Sequence, residues 1–154
     1  MPDTNLPQSI GDLPAQAAAE PANKAQARAR FFNTGNAFNV ILPPVPDMAF
    51  TDEPTRALSS QTPTGLIACD ISGPMECPFP ATSPFVLAYY GKVKAGETLT
   101  TDFNATGVVG YVIRGSGSLA CGDETIDWGP GDLFVLPGGV SHSYTAGTAD
   151  AVLW

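Results

Sequence analysis

Gly131-Asp-Leu-Phe-Val-Leu-Pro137-Gly-Gly139-Val-Ser-His142 is a short apolar run closed by a Pro-Gly-Gly turn and followed by the only histidine of the chain. Upstream lies Gly96-Glu-Thr-Leu-Thr-Thr-Asp102-Phe-Asn104-Ala-Thr-Gly-Val108-Val-Gly-Tyr-Val-Ile-Arg-Gly115. In both segments strand-forming residues are bounded by glycines at positions where a tight connection needs backbone freedom.

The same texture extends outward from these two segments. From Gly65 onward, strands are expected at Leu66–Ser72, Phe85–Val93, Thr98–Phe103, Val108–Arg114, Ser118–Cys121, Thr125–Trp128, Leu133–Leu136, Ser143–Thr145 and Ala151–Trp154. Turns at 115–117, 122–123 and 129–132 separate them, and no long helix interrupts them. Many short strands with Gly-rich turns predict an all-β sandwich or barrel over residues 61–154.

Residues 1–60 read differently, as an N-terminal arm. Pro, Gln, Ser and Ala mix without apolar periodicity up to about residue 19, which predicts a loosely held start. A short helix is expected near 21–33, with Pro21 in its first turn and Gly35 past its end. The following Val40-Ile-Leu-Pro-Pro-Val-Pro-Asp-Met-Ala-Phe50 should run extended, because its prolines cannot donate to a sheet ladder. It is too apolar for a free linker, so it must pack on its own barrel or on another chain.

A chain of 154 residues with 44% apolar composition has enough material for one core. Its formal charge of −8 opposes binding to nucleic-acid phosphates or anionic lipid. Only 14% of residues are charged, and so sparse a charged surface favours a buried subunit interface. The N-terminus lacks a basic stretch followed by an apolar core, which predicts a cytoplasmic protein. Cys69, Cys77 and Cys121 are odd in number and lack paired metal-ligand spacing, so neither a disulfide framework nor a zinc knot is expected. No cysteine has a histidine neighbour in sequence, and no Gly-x-Ser-x-Gly elbow or phosphate loop is present.

The two quoted segments resemble the two-part signature of the cupin superfamily, a double-stranded β-helix or jelly-roll barrel. In that family the first part reads Gly, five residues, His-x-His, then a Glu, then a Gly. The second reads Gly, five residues, Pro, one residue, Gly, two residues, His. Every glycine and the proline stand here at the family's spacing, and His142 takes the last His position. The resemblance covers about 85–154.

The family's metal ligands do not carry over with the glycines. Three imidazoles and a carboxylate pointing inward suit a divalent iron, manganese, nickel or zinc ion. The corresponding positions hold Asp102, Asn104, Val108 and His142, so no metal or other cofactor is expected in this chain. His142 remains as a weak candidate acid or base.

The strand texture from Pro84 to Trp154 resembles one half of gentisate-type ring-cleaving dioxygenases, and the free small subunit of two-component hydroquinone 1,2-dioxygenases. That resemblance implies a non-catalytic subunit of a hetero-oligomer, with Fe(II) in a larger cupin partner and an aromatic substrate in the complex. Phe31, Phe32, Phe38 and Phe50 are then candidates for contact with the partner or its substrate pocket, core packing being the other reading of the same residues. Two further readings are a metal-free isomerase or epimerase using His142 with Tyr111 or Asp102, and a small-ligand-binding barrel without chemistry.

Overall fold

The computed structural model describes residues 16–31 and 44–154. Two antiparallel sheets carry the fold. One has five strands in the order β3-β4-β11-β6-β9, the other four in the order β5-β10-β7-β8. The first sheet comprises β3 (Gly65–Ala68), β4 (Tyr89–Val93), β6 (Gly107–Arg114), β9 (Leu133–Pro137) and β11 (Ala151–Leu153). The second comprises β5 (Thr98–Thr101), β7 (Gly117–Cys121), β8 (Glu124–Trp128) and β10 (His142–Ala146). A separate pair, β1 (Gln16–Ala17) and β2 (Arg30–Phe31), flanks α1 (Lys24–Arg28).

Strand alternation explains which side chains meet between the sheets. On β10, His142, Tyr144 and Ala146 are buried, while Ser143 and Thr145 point out. The outward hydroxyls pair across to β5, Ser143 with Thr100 at 2.9 Å and Thr145 with Thr98 at 2.8 Å. The core joins Val93, Val112, Leu119, Trp128, Leu136, Tyr144, Ala146, Ala151 and Leu153, with Leu99, Val108 and Phe134 packed against it. Burying each large apolar side chain of that set stabilises the fold by about 1.5–3 kcal/mol before the entropy of ordering it is subtracted.

Two glycines are required by this packing. The ring of Phe134 lies where a Cβ on Gly110 would stand, so the aromatic ring packs directly on the β6 backbone. Gly115 turns the chain out of β6 at φ 83°, against Ala151. The left-handed region is open to glycine without steric cost.

A second layer covers the outer face of the five-stranded sheet over β3, β4 and β11. Helix α2 (Asp52–Leu58) sets Ala57 against Ile67 and Val152, with Tyr90 beside them. Its first turn carries Asp52 and Glu53, the sign the helix dipole favours there. Just before it, Phe50 packs on Ile71, Met75 and Ala81.

The elements differ from the sequence expectations in several places. The expected helix near 21–33 contracts to Lys24–Arg28, where Asn23 caps it through bonds from Ala25 N–H and Gln26 N–H, and Phe31 lies in β2. Helix α2, at the end of the N-terminal arm, was not expected; its Pro54 stands in the first turn, where the missing proline donor costs nothing. The strand expected at Phe85–Val93 begins only at Tyr89, since Ser83 and Val86 bridge around a turn that leaves Phe85 exposed. The strand expected at Leu66–Ser72 ends at Ala68, and the Asp70 carboxylate then accepts bonds from Ser72 N–H and Ala81 N–H. The strand expected at Thr98–Phe103 stops at Thr101. Phe32, Phe38 and residues 40–43 lie outside the described residues, and the described remainder of the segment, 44–50, has no regular secondary structure.

Candidate functional site

Three residues form one inward-facing row across the four-stranded sheet. His142 on β10 stands directly opposite Thr101 on β5 and Cys121 on β7. Parity places all three between the sheets with Leu99, Leu119 and Tyr144 in the next row. A polar row has thus been built into an otherwise apolar interior.

His142 is 1% exposed, and neither of its ring nitrogens has a hydrogen-bond partner among the described residues. Trp128 Nε1 shares that condition, and Thr101 Oγ1 has only the Tyr144 hydroxyl beside it. A buried polar group without a partner costs about 1–3 kcal/mol, and such groups mark sites kept for something other than stability. Burial pushes the Tyr144 phenol above its usual range, so it stays a neutral hydroxyl beside the row. Cys121 is partly exposed and borders a cavity of about 350 Å³ between β8 and β9, shared with Glu124, Ile126, Val135, Leu136 and Val140.

The positions singled out from the sequence are only partly brought together. Strand β5 ends at Thr101, so Asp102 and Asn104 fall in the connection to β6 and both are exposed. Val108 packs against the core. His142 alone points inward with a donor atom. Tyr111 lies on the outer face of β6, where its backbone exchanges hydrogen bonds with Trp154, and it does not join His142. Phe31 is exposed and Phe50 is half-buried against its own chain.

Other residues of the row had no signal in sequence motifs. The absence of a histidine neighbour for any cysteine holds along the chain and fails in space, because antiparallel pairing sets Cys121 opposite His142. Strand parity from His142 points to Thr101 and Tyr144 once the register is known, and register is not written in a motif.

A divalent ion of the kind expected for the family does not fit these residues. Among the described residues no three His, Cys, Asp or Glu side chains come together in a group that could hold a metal. An exposed Asp102, an exposed Asn104 and an apolar Val108 leave one imidazole where the family would supply four ligands.

A family model described as an AraC-like ligand binding domain matches residues 102–153, the stretch from the end of β5 through β11. The two antiparallel sheets are consistent with the cupin-type barrel expected from the sequence. The chain is 33% identical to part of a 5-aminosalicylate 1,2-dioxygenase from a Comamonas species, a match taking in 47% of this chain and 24% of that protein. It is also similar to the salicylate 1,2-dioxygenase of Pseudaminobacter salicylatoxidans (24% identity, TM-score 0.46, 58% of this chain and 25% of that one). A third likeness is to KdgF from a Halomonas species (22% identity, TM-score 0.44, 58% and 75% covered). The chain spans about a quarter of the length of the two dioxygenases. No helix among the described residues is long and apolar enough to cross a membrane.

Proposed function

We propose that this cupin is a non-catalytic subunit of an Fe(II)-dependent aromatic ring-cleaving dioxygenase of the hydroquinone 1,2-dioxygenase type. The iron belongs to a larger cupin partner, which this chain braces and whose substrate pocket it helps to line. The observation that carries this reading is the state of the four ligand positions in a barrel related to an aromatic-ring dioxygenase: Asp102 and Asn104 exposed, Val108 apolar, His142 alone inward.

A protein partner also accounts for the outer face of β6 and β9. Outward positions of a half-solvated sheet are usually polar, yet here Val109 pairs with Val135 and Tyr111 with Leu133, and Trp154 adjoins them. Val109, Leu133 and Val135 are 66%, 66% and 71% exposed. A contiguous apolar face of this kind marks an interaction surface.

The test is purification of the native complex with metal and mass measurement. One iron-bearing larger cupin per copy of this chain is the expected result, and replacing His142 with Ala should leave complex activity within a few-fold. A stable monomer with its own turnover would overturn the proposal.

One observation favours a second reading, a barrel that binds a small ligand without chemistry. The unpartnered nitrogens of His142 and the hydroxyl of Thr101 offer a polar anchor inside an apolar cup. Retention of a small molecule by the isolated chain, lost on His142→Leu, is the outcome expected from it.

A further inference from the structure

We propose that Cys121 and His142 form a two-donor site for a thiophilic, low-coordinate cation of the copper(I) class, entered from the cavity between β8 and β9. The two residues are direct cross-strand partners with inward-facing side chains. Directly opposed Cβ atoms in antiparallel strands lie about 4.5–5.5 Å apart. At that spacing a sulfur and a ring nitrogen can share one ion without touching each other. Among the described residues the buried imidazole has no hydrogen-bond partner on either nitrogen, which leaves a lone pair for a ligand.

Access and charge favour a cation. Cys121 is partly exposed to the cavity of about 350 Å³, and Glu124, its partner across the β7–β8 hairpin, adds a carboxylate to the same lining. The chain carries a net charge of −8, which raises the local concentration of cations. On the interior side, Leu119 lies in the next inward row of β7 and Leu136 lines the cavity, both of them in the buried core.

Donor number and softness select the ion. Zinc in a closed site takes four ligands, and calcium or magnesium takes six or more oxygens. Among the described residues no third His, Cys, Asp or Glu joins Cys121 and His142 in one ligand group, Glu124 standing on the cavity wall apart from the two donors, so those ions are left undercoordinated. Copper(I) accepts a soft thiolate with one imidazole. On binding, the Sγ–H bond gives way to an Sγ–Cu bond and the thiol proton leaves to solvent, one per ion, with no change of oxidation state. The site uses neither Asp102 nor Asn104 and is independent of iron in any partner.

The experiment uses the full chain, held anaerobically, titrated with copper(I) against a chromogenic copper(I) chelator, with proton release followed in weak buffer. One ion per chain and one proton per ion are expected. Cys121→Ser should abolish binding, and His142→Gln should weaken it by at least about tenfold. His142→Met, which returns a soft donor, should recover most of the affinity, and Cys77→Ser should leave it unchanged. Circular dichroism establishes that each variant is folded; if His142→Gln is not, Cys121→Ser and His142→Met carry the decision. Undiminished binding by Cys121→Ser, or by a folded His142→Gln, overturns the proposal, as does equal affinity for zinc(II).

Discussion

The Nζ atom of Lys92, a side chain 2% exposed on the covered face of β4, lies 2.9 Å from the Asp150 carboxylate. Lys94 approaches the same oxygen at 3.3 Å, and Ala95 N–H donates to the other at 3.1 Å. The bond from Lys92, followed by that from Ala95 N–H, holds the Asp150 carboxyl down to about 2. Removing the carboxylate strands the buried Lys92 ammonium, whereas replacing Lys92 by an apolar group of similar volume leaves Asp150, 23% exposed, with Lys94 and Ala95 N–H. Asp150→Asn is therefore expected to lower the urea midpoint more than Lys92→Met does, as read by chemical denaturation of the two variants side by side.

The same pair sets an acid limb of stability. An unfolded Asp titrates near about 3.9, so between that pH and about 2 the unfolded chain binds more protons at this position than the folded one. The contribution is fully present above the unfolded value and is lost as pH falls through the folded one. Thermal melts from pH 5 to pH 2 should drop less steeply for Asp150→Asn than for the wild type. Parallel slopes would show that Asp150 does not supply the limb.

His142 is predicted to cost the isolated chain stability. Its two unpartnered ring nitrogens are buried, and removing such groups relieves a desolvation penalty of about 1–3 kcal/mol. His142→Leu should raise the stability of the lone chain by about 1 kcal/mol once repacking losses are included. A clear destabilisation in equilibrium unfolding would mean that the imidazole is held by interactions within the fold.

Two glycines of neighbouring turns should respond oppositely to alanine. A Cβ on Gly138 would fall on the Ala105 carbonyl, backbone that cannot step aside, whereas one on Gly129 meets nothing within 4 Å. Gly138→Ala is expected to cost about 3 kcal/mol by overpacking. Gly129→Ala should be neutral or stabilise by about 0.5 kcal/mol through the unfolded chain. Denaturant midpoints of the two variants provide the comparison.

The exposed face of β6 and β9 should tolerate charge in the lone chain and not in a complex. Val135→Lys changes a side chain 71% exposed, so its stability should move by less than about 0.5 kcal/mol. Size-exclusion profiles of the native complex should nevertheless shift toward free chain. An unaltered complex would place the partner on another face.

The spacing of Gly96, Gly115, Gly131, Pro137, Gly139 and His142 was enough to determine an all-β barrel of the cupin type and to place strands within it. Turn glycines and alternating strands are local signals, carried by backbone sterics and side-chain period. The apolar side chain of Val108, which has no donor atom, likewise excludes it as a ligand from the sequence alone. Tertiary structure alone decided that α2 caps the five-stranded sheet, that Phe50 packs on its own chain, and that β5 ends one residue before Asp102. It also decided that Cys121 and Thr101 flank His142. Those residues lie 21 and 41 positions from His142 in the chain, and only strand register, fixed by which faces bury apolar surface, brings them into one row.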